Sequence, residues 1–223
     1  MFHDLKMIFN WSEIWAVLIP LFQLLVKPKQ PRYLAPVITY LCAALLLNIA
    51  VDILAEYNYL HRGSDSISNN PLYNLHSVIR FACFSYFFFL LRQSFYIKIK
   101  KIIPIIFGLF LIMNFGFSED FFYPGHISGN LFSMEAFLLL VYCMLFYLSR
   151  LKEEVPSLSG GKDFWIVTGL SIYVVVNFFV FLFYVPMIKE NPHLANNMWD
   201  VHNVAYIILC IFITKAFYVP ASN

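Results

Sequence analysis

The sequence predicts an all-α fold, a polytopic bundle of seven transmembrane helices that fills residues 1–223 as a single transmembrane domain. Three observations predict it: a strongly apolar composition, seven separate apolar runs, and an uneven distribution of Lys and Arg between the connecting segments. Hydrophobic residues form 61% of the chain and charged residues 13%, with a mean hydropathy of +0.70, whereas soluble domains are nearer half apolar and a quarter charged. We therefore expect the lipid bilayer to surround the chain, and the net charge of +2 gives no indication of nucleic-acid binding.

Seven apolar runs give the predicted helices. They cover residues 8–26, 33–57, 71–91, 102–117, 131–149, 164–188 and 198–218. Most are near the roughly 20 residues that a helix needs to cross the hydrocarbon core. The first run follows MFHDLK, which has neither a basic n-region nor a small-residue cleavage site, so we expect it to remain as the first helix rather than leave as a signal peptide. The connecting segments are too short to form a second domain.

Basic residues decide the predicted orientation, because Lys and Arg near helix ends are retained on the cytoplasmic side. One set of alternate connections and helix ends carries eleven of them: Lys27, Lys29, Arg32, Arg92, Lys98, Lys100, Lys101, Arg150, Lys152, Lys162 and Lys215. The other set carries three: Lys6, Arg62 and Lys189. This imbalance predicts an N-terminus outside and a C-terminus in the cytoplasm.

The starts of the third and seventh helices resemble each other. Helix three opens LYNLHSV and helix seven opens MWDVHNV, which places His76 and His202 at matching positions 126 residues apart. Similar offsets relate two further pairs of polar residues: Glu13 with Glu135, and Asp52 with Asn177. Helices one to three would then correspond to helices five to seven in a 3+1+3 parallel repeat, an arrangement that is known in some transporters. An Asn upstream of helices three, five and seven is expected to cap each of them: Asn70, Asn130 and Asn197.

Polar residues within the predicted helices concentrate toward the outer side. Ionisable groups cost about 3 kcal/mol or more in the hydrocarbon centre, so they are expected to face the bundle interior, to pair, or to line a wet cavity. We predict an outward-facing polar pocket lined by eight residues: Glu13, Asp52, His76, Arg80, Glu135, Asn177, Asp200 and His202. The Arg80 guanidinium stays charged, and its expected partner is Glu135, Asp52 or an anionic ligand. The alternative is that these groups only hydrogen-bond one another between helices, at about 0.6 kcal/mol per contact.

Three of these residues also form a candidate metal set. His76, Glu135 and His202 lie at equal depth if their helices enter from the same side, and two imidazoles with one carboxylate are a known ligand set for zinc or iron. No local motif such as HExxH supports this site. We therefore expect no cofactor, with zinc or iron as the alternative.

The segments NNPLYNLHSVIRF, GNLFSMEAFLLL and FWIVTGLSIY occur in that order along the chain. Together they resemble a family of small, uncharacterised bacterial seven-helix membrane proteins. The resemblance implies the seven-helix fold and a place in the bacterial cytoplasmic (inner) membrane, and it implies no reaction. The His and acid content is also similar to that of seven-helix zinc hydrolases of the alkaline ceramidase and adiponectin receptor type. This chain has only His202 on its last helix, where those proteins carry a closely spaced His pair.

The predicted function is binding rather than catalysis. We expect a membrane protein that binds a small ligand, ion or lipid in the outward-facing pocket, as a sensor, an accessory subunit or a transporter. Because its cytoplasmic connections are short, a signal would pass to a membrane or cytoplasmic protein partner or to a second copy of the chain. Two alternatives stay open: a metal-dependent intramembrane hydrolase acting on a lipid, and a structural subunit of a membrane complex.

Overall fold

The computed structural model describes residues 9, 11–60, 67–91, 96–152 and 160–220. Across these ranges the chain forms seven α-helices and no strand. Their bounds are α1 Ser12–Val26, α2 Ala35–Leu60, α3 Asn70–Leu90, α4 Ile97–Met113, α5 Gly129–Lys152, α6 Lys162–Glu190 and α7 Pro192–Tyr218. A 3₁₀ turn, Arg32–Leu34, precedes α2, and a π-helical turn, Asn114–Ser118, continues α4. The predicted all-α fold is confirmed.

Five of the helices are long and apolar enough to cross a membrane: α2, α4, α5, α6 and α7, where α2 is counted with the turn before it and α4 with the turn after it. The first helix has 15 residues. The third has 21 residues, but Asn74, His76 and Arg80 lower its hydropathy. All three of those side chains are buried, so α3 turns these polar residues toward the interior of the bundle. The composition of the five helices indicates a membrane protein.

Six helices form a closed ring. Along it α1 packs on α2, α2 on α3, α3 on α5, α5 on α6, α6 on α7, and α7 back on α1. The fourth helix lies outside the ring, against α3 and α5. We call the end of the bundle at which α1, α3, α5 and α7 begin the upper end and the opposite end the lower end. At the lower end, the Lys162 Nζ at the start of α6 donates to the Ala216 carbonyl at the end of α7, over 3.0 Å.

The bundle carries apolar side chains on its inside and its outside. Aromatic rings such as Phe84, Phe88 and Phe146 are fully buried in its core, and large aliphatic side chains such as Leu46 and Ile105 are more than three-fifths exposed. So much exposed apolar surface is not stable in water. It fits a surface that is covered by lipid.

Several helices start earlier than hydropathy predicts. The fourth begins at Ile97 rather than at residue 102, because the IKIKK segment is helical although its lysines lower its hydropathy. The seventh begins at Pro192 rather than at residue 198, because the Asn191 side chain accepts a hydrogen bond from the Leu194 amide and Pro192 occupies the first turn. Residues 1–8, and with them Lys6, lie outside the described residues, as do Arg62 and Arg92.

The predicted capping asparagines are wrong. Asn70 and Asn130 are already helical, and Asn197 lies inside α7. The side chain that accepts the Leu131 amide at the start of α5 is Ser128, through its Oγ at 3.1 Å. The caps therefore belong to residues further upstream than the aligned repeat suggests.

Candidate functional site

Arg80 of α3 and Glu135 of α5 form a buried ion pair. The Nε of Arg80 donates to Oε1 of Glu135 over 2.5 Å, and its Nη2 donates to Oε2 over 2.7 Å. The Ser77 hydroxyl, one helical turn before Arg80, donates to the same Oε2 over 2.5 Å. Arg80 is 4% exposed and Glu135 1% exposed. The carboxylate thus accepts three hydrogen bonds from α3, which is the kind of geometry that a desolvated ion pair requires.

Tyrosine and histidine rings surround the ion pair. The guanidinium carbon of Arg80 lies 5.1 Å from the centre of the Tyr173 ring, and Tyr40 stacks on His76 with ring centres 5.8 Å apart. Tyr206 is close enough to Tyr40 for their hydroxyls to interact electrostatically. We name this group the polar centre, and its members are Tyr40, His76, Ser77, Arg80, Glu135, Tyr173 and Tyr206. It joins α2, α3, α5, α6 and α7 in the interior of the ring.

Four polar atoms of the polar centre make no hydrogen bond of normal geometry with the described residues, although two of them, the Tyr40 and Tyr206 hydroxyls, lie near each other. They are the hydroxyls of Tyr40, Tyr173 and Tyr206 and the Nε2 of His76. These side chains are at most 7% exposed, and a buried polar atom without a partner costs about 1–3 kcal/mol. All four lie within electrostatic reach of one another or of the Arg80 charge. A small polar guest at this position would find donors and acceptors from four helices.

His202 forms a second group closer to the upper end. Its Nδ1 lies 2.5 Å from the Asn177 Oδ1, while the Asn177 amide nitrogen donates to the Tyr173 carbonyl over 2.8 Å. Because Oδ1 is an acceptor, this contact assigns the proton to Nδ1 of His202. The Nε2 then faces the Glu13 carboxylate of α1, 3.6 Å from Oε1. Asn177 thus links this group to the backbone beside the polar centre.

The remaining acidic candidates lie nearer the surface. Glu13 and Asp52 are partly exposed, and Asp52 lies within electrostatic reach of Glu13. Asp200 is also partly exposed, but it precedes His202 by two residues and so points away from the face of α7 that carries that ring. The structure thus brings Arg80 to Glu135, and His202 to Asn177 and Glu13. Within the described ranges no contact places Asp200 in either group.

The structure does not assemble the candidate metal set. No three His, Cys, Asp or Glu side chains of the described residues are grouped closely enough to hold a metal ion. Glu135 is bound by Arg80 and Ser77, His76 stacks on Tyr40, and His202 contacts Asn177. The reason is that equal depth along three helices does not turn three side chains toward one point.

A lateral cavity approaches these groups from the side. It has a volume of about 780 Å³ and lies between α4, α5 and α6, with Asn114, Asn130 and Ser133 among its polar lining residues. Phe181 also lines it and contacts His202, with ring centres 5.1 Å apart. Phe181 therefore belongs both to the cavity wall and to the surroundings of His202.

Sequence reasoning missed the tyrosines and Ser77. The apolar pattern of the sequence does not separate Tyr40, Tyr173 and Tyr206 from the other tyrosines of the chain. A helical spacing could have found two of them, because Tyr173 with Asn177, and His202 with Tyr206, stand four residues apart, as do His76 and Arg80. Residues at this spacing share a helix face, so each polar candidate also predicts which of its neighbours turn inward.

No family model matches the chain, and neither curated proteins nor solved structures give a match. The fold and the site define its class: an all-helical membrane protein that holds a buried ion pair in a ring of helices. The resemblance to small bacterial seven-helix proteins stays a prediction.

Proposed function

We propose that this chain crosses the membrane seven times, with its upper end outside the cell, and binds a small polar ligand, ion or lipid headgroup at the polar centre. The observation that carries the proposal is the set of four buried polar atoms that lack partners around the Arg80–Glu135 pair. Helices that are held together only by hydrogen bonds between their own side chains do not need buried polar atoms without partners. A bound guest would complete their hydrogen bonds.

The distribution of charge supports the orientation. Within the described residues, basic side chains cluster at the lower end: Lys27, Lys29, Arg32, Lys98, Lys100, Lys101, Arg150, Lys152, Lys162 and Lys215. Glu13 and Asp52 lie toward the upper end, with no comparable basic cluster in the described part of it. An excess of Lys and Arg marks the cytoplasmic side. The bacterial inner membrane is the proposed location.

The ring supports the proposed 3+1+3 repeat. If α1 to α3 correspond to α5 to α7, then the contact of α3 with α5 corresponds to the contact of α7 with α1, and both contacts occur. Each also joins a basic residue to an acidic one, Arg80 to Glu135 and His202 to Glu13, although the offset of 126 residues relates His202 to His76 and Arg80 to Tyr206. Glu13 and Glu135 are the pair that the offset relates. This plan suits a transporter or a sensor whose two halves move against each other.

A ligand screen with purified protein tests the proposal. Small polar molecules, ions and lipid headgroups are screened for a rise in melting temperature in detergent, and each hit is tested again in Tyr206→Phe and Tyr142→Phe. The first variant removes one unpartnered hydroxyl of the polar centre. The second is a matched control, since the Tyr142 hydroxyl already bonds to Ser85 and to the Lys100 carbonyl, each over 2.8 Å.

Hits that bind at the polar centre lose most of their thermal shift in Tyr206→Phe and keep it in Tyr142→Phe. Hits that keep their full shift in Tyr206→Phe, Tyr173→Phe and Arg80→Ala bind elsewhere and contradict the proposal. A shift that falls equally in both tyrosine variants reports general destabilisation and also counts against it.

A further inference from the structure

The lateral cavity between α4, α5 and α6 combines a polar group with aromatic walls. The polar lining residues lie where α4 ends and α5 begins, toward the upper end of the bundle: Asn114, Ser118, Glu119, Asn130 and Ser133. Aromatic rings line much of the remainder: Phe110, Phe117, Phe137, Phe178 and Phe181. The volume of about 780 Å³ is within the range of about 300–1,000 Å³ that is usual for ligand sites. None of the described lining residues belongs to the polar centre.

Glu119 is the only charged side chain among the described residues of this lining. The π-helical turn after α4 positions it, because the Glu119 amide donates to the Asn114 carbonyl over 2.7 Å, and turns of this kind are frequent at functional sites. The buried Asn114 side chain donates from Nδ2 to Oε2 of Glu119 over 3.0 Å, and the Ser128 hydroxyl donates to the same oxygen. Both donors are neutral, and within the described part of the chain no ion pair balances this carboxylate.

Ser133 adds a second acceptor to the wall of the lateral cavity. Its Oγ is buried and makes no hydrogen bond with the described residues, which costs about 1–3 kcal/mol for a buried polar atom. Asn130 lies one helical turn before Ser133 on the same face of α5, and its Nδ2 lies 3.5 Å from the Asn114 Oδ1. Through Asn114 and Asn130, the unpartnered hydroxyl and the Glu119 carboxylate belong to one polar group.

The lateral cavity opens sideways from the bundle. Met113, Phe137 and Leu182 line it and are more than two-fifths exposed, on the surface that fits lipid. Because α5 runs downward from Gly129, Phe137 lies about 12 Å below the start of that helix at 1.5 Å per residue. A molecule whose head contacts Glu119 would therefore place a hydrocarbon chain beside Phe137, at the depth of the bilayer.

We infer that the lateral cavity binds a long-chain primary amine, with its ammonium group at Glu119 and Ser133 and its hydrocarbon chain among the phenylalanine rings. An ammonium group has three N–H donors and no acceptor, which suits a carboxylate beside an unpartnered hydroxyl oxygen. Aromatic faces also attract a cation, whereas Glu119 would repel a phosphate or carboxylate headgroup. The inference goes beyond the proposed function and involves a separate site.

Binding of tritiated decylamine to the purified full-length protein tests the inference. Scintillation proximity measures it in detergent micelles, with unlabelled decylamine, decanol and decanoate as competitors. We expect saturable binding for which decylamine competes about tenfold better than the other two. Glu119→Gln keeps the size of the side chain and removes its charge, so it should weaken decylamine about tenfold. Ser133→Ala removes an oxygen that has no partner in the described residues and should weaken decylamine about fivefold.

Two matched variants serve as controls. Asp120→Asn neutralises the next residue in the chain, an exposed acid outside the lining, and Ser149→Ala removes a hydroxyl at the far end of α5 that donates to the Leu145 carbonyl. Both should keep the wild-type affinity. The inference is overturned by equal competition from decanol or decanoate, by an equal loss in Asp120→Asn, or by wild-type affinity in Glu119→Gln and Ser133→Ala. Binding that is lost in Tyr206→Phe but kept in Glu119→Gln would assign the amine to the polar centre and would also overturn it.

Discussion

Arg80 and Glu135 meet through two parallel contacts, from Nε to Oε1 at 2.5 Å and from Nη2 to Oε2 at 2.7 Å, with both side chains almost sealed from solvent. Desolvating two charges is costly, so such a pair adds little net stability compared with apolar residues of similar size. We expect the pair to act mainly by holding one register between α3 and α5 and by keeping a fixed charge in the interior. Both are useful to a binding site.

Removing one charge of this pair should lower the free energy of unfolding far more than removing both charges. Glu135→Leu leaves Arg80 buried without its partner, and we expect a loss of about 3–5 kcal/mol in the free energy of unfolding. The double variant Arg80→Met with Glu135→Leu should recover most of this loss. Unfolding by SDS in mixed micelles measures both values. A double variant as unstable as the single one would contradict this view of the pair.

The pair of Arg150 and Asp163 provides the comparison. It is more exposed, with 22% and 16% of the two side chains accessible. Pairs near the surface contribute about 0–1 kcal/mol, so Asp163→Asn should change the unfolding free energy by at most about 1 kcal/mol. A loss of unfolding free energy as large as that of Glu135→Leu would show that the effect of breaking an ion pair does not depend on its burial.

Two buried tyrosines should respond differently to loss of their hydroxyl groups. Tyr142→Phe removes bonds to Ser85 and to the Lys100 carbonyl and should lower stability by about 1–3 kcal/mol. Tyr206→Phe removes a hydroxyl without a partner and should be neutral or slightly stabilising. The same SDS titration measures both variants. If Tyr206→Phe costs as much as Tyr142→Phe in ligand-free protein, an ordered water already fills the polar centre.

Two helical glycines should respond to alanine with opposite signs. A Cβ at Gly169 of α6 would clash with Phe212 of α7, because small residues let membrane helices approach closely. We expect Gly169→Ala to lower the unfolding free energy by about 1–3 kcal/mol. Gly108→Ala meets no neighbour and should gain up to about 1 kcal/mol from helix propensity. Equal effects would mean that α6 and α7 can separate at little cost.

Cysteine labelling tests the orientation. In a variant without the four native cysteines, Asn196→Cys places a thiol at the upper end and Lys98→Cys places one at the lower end, both at exposed positions. A membrane-impermeant maleimide should label Asn196→Cys in intact cells and Lys98→Cys only after the cells are permeabilised. The reverse pattern would show that the upper end of the bundle faces the cytoplasm. Labelling of both variants in intact cells would show that the two ends do not lie on opposite sides of the membrane.

The helices could be predicted from the sequence because each combines a long apolar run with polar connections. Their starts were less certain, since they depend on particular side chains. Asn191 caps α7 seven residues before the apolar run begins, and the lysines of IKIKK lower the hydropathy of a segment that is helical in the structure. Hydropathy averages over a window, whereas a cap is one hydrogen bond.

The polar centre could be predicted only in part. Arg80, Glu135, His76 and His202 stood out because charged and imidazole groups are rare in apolar helices. Tyr40 did not stand out, because it is one of 14 tyrosines in the chain. Whether a tyrosine faces lipid or the interior depends on the rotation of its helix, and a helix that is apolar all round does not reveal that rotation.

The position of α4 outside the ring has a consequence for how the chain is inserted. A unit of three helices crosses the bilayer an odd number of times, so two such units in direct succession would point in opposite senses. One further crossing gives the second unit the same sense as the first. In the proposed duplication α4 is this connector, and because it packs outside the ring, the interior does not have to accommodate it. The second unit can then enter the bilayer already facing the first.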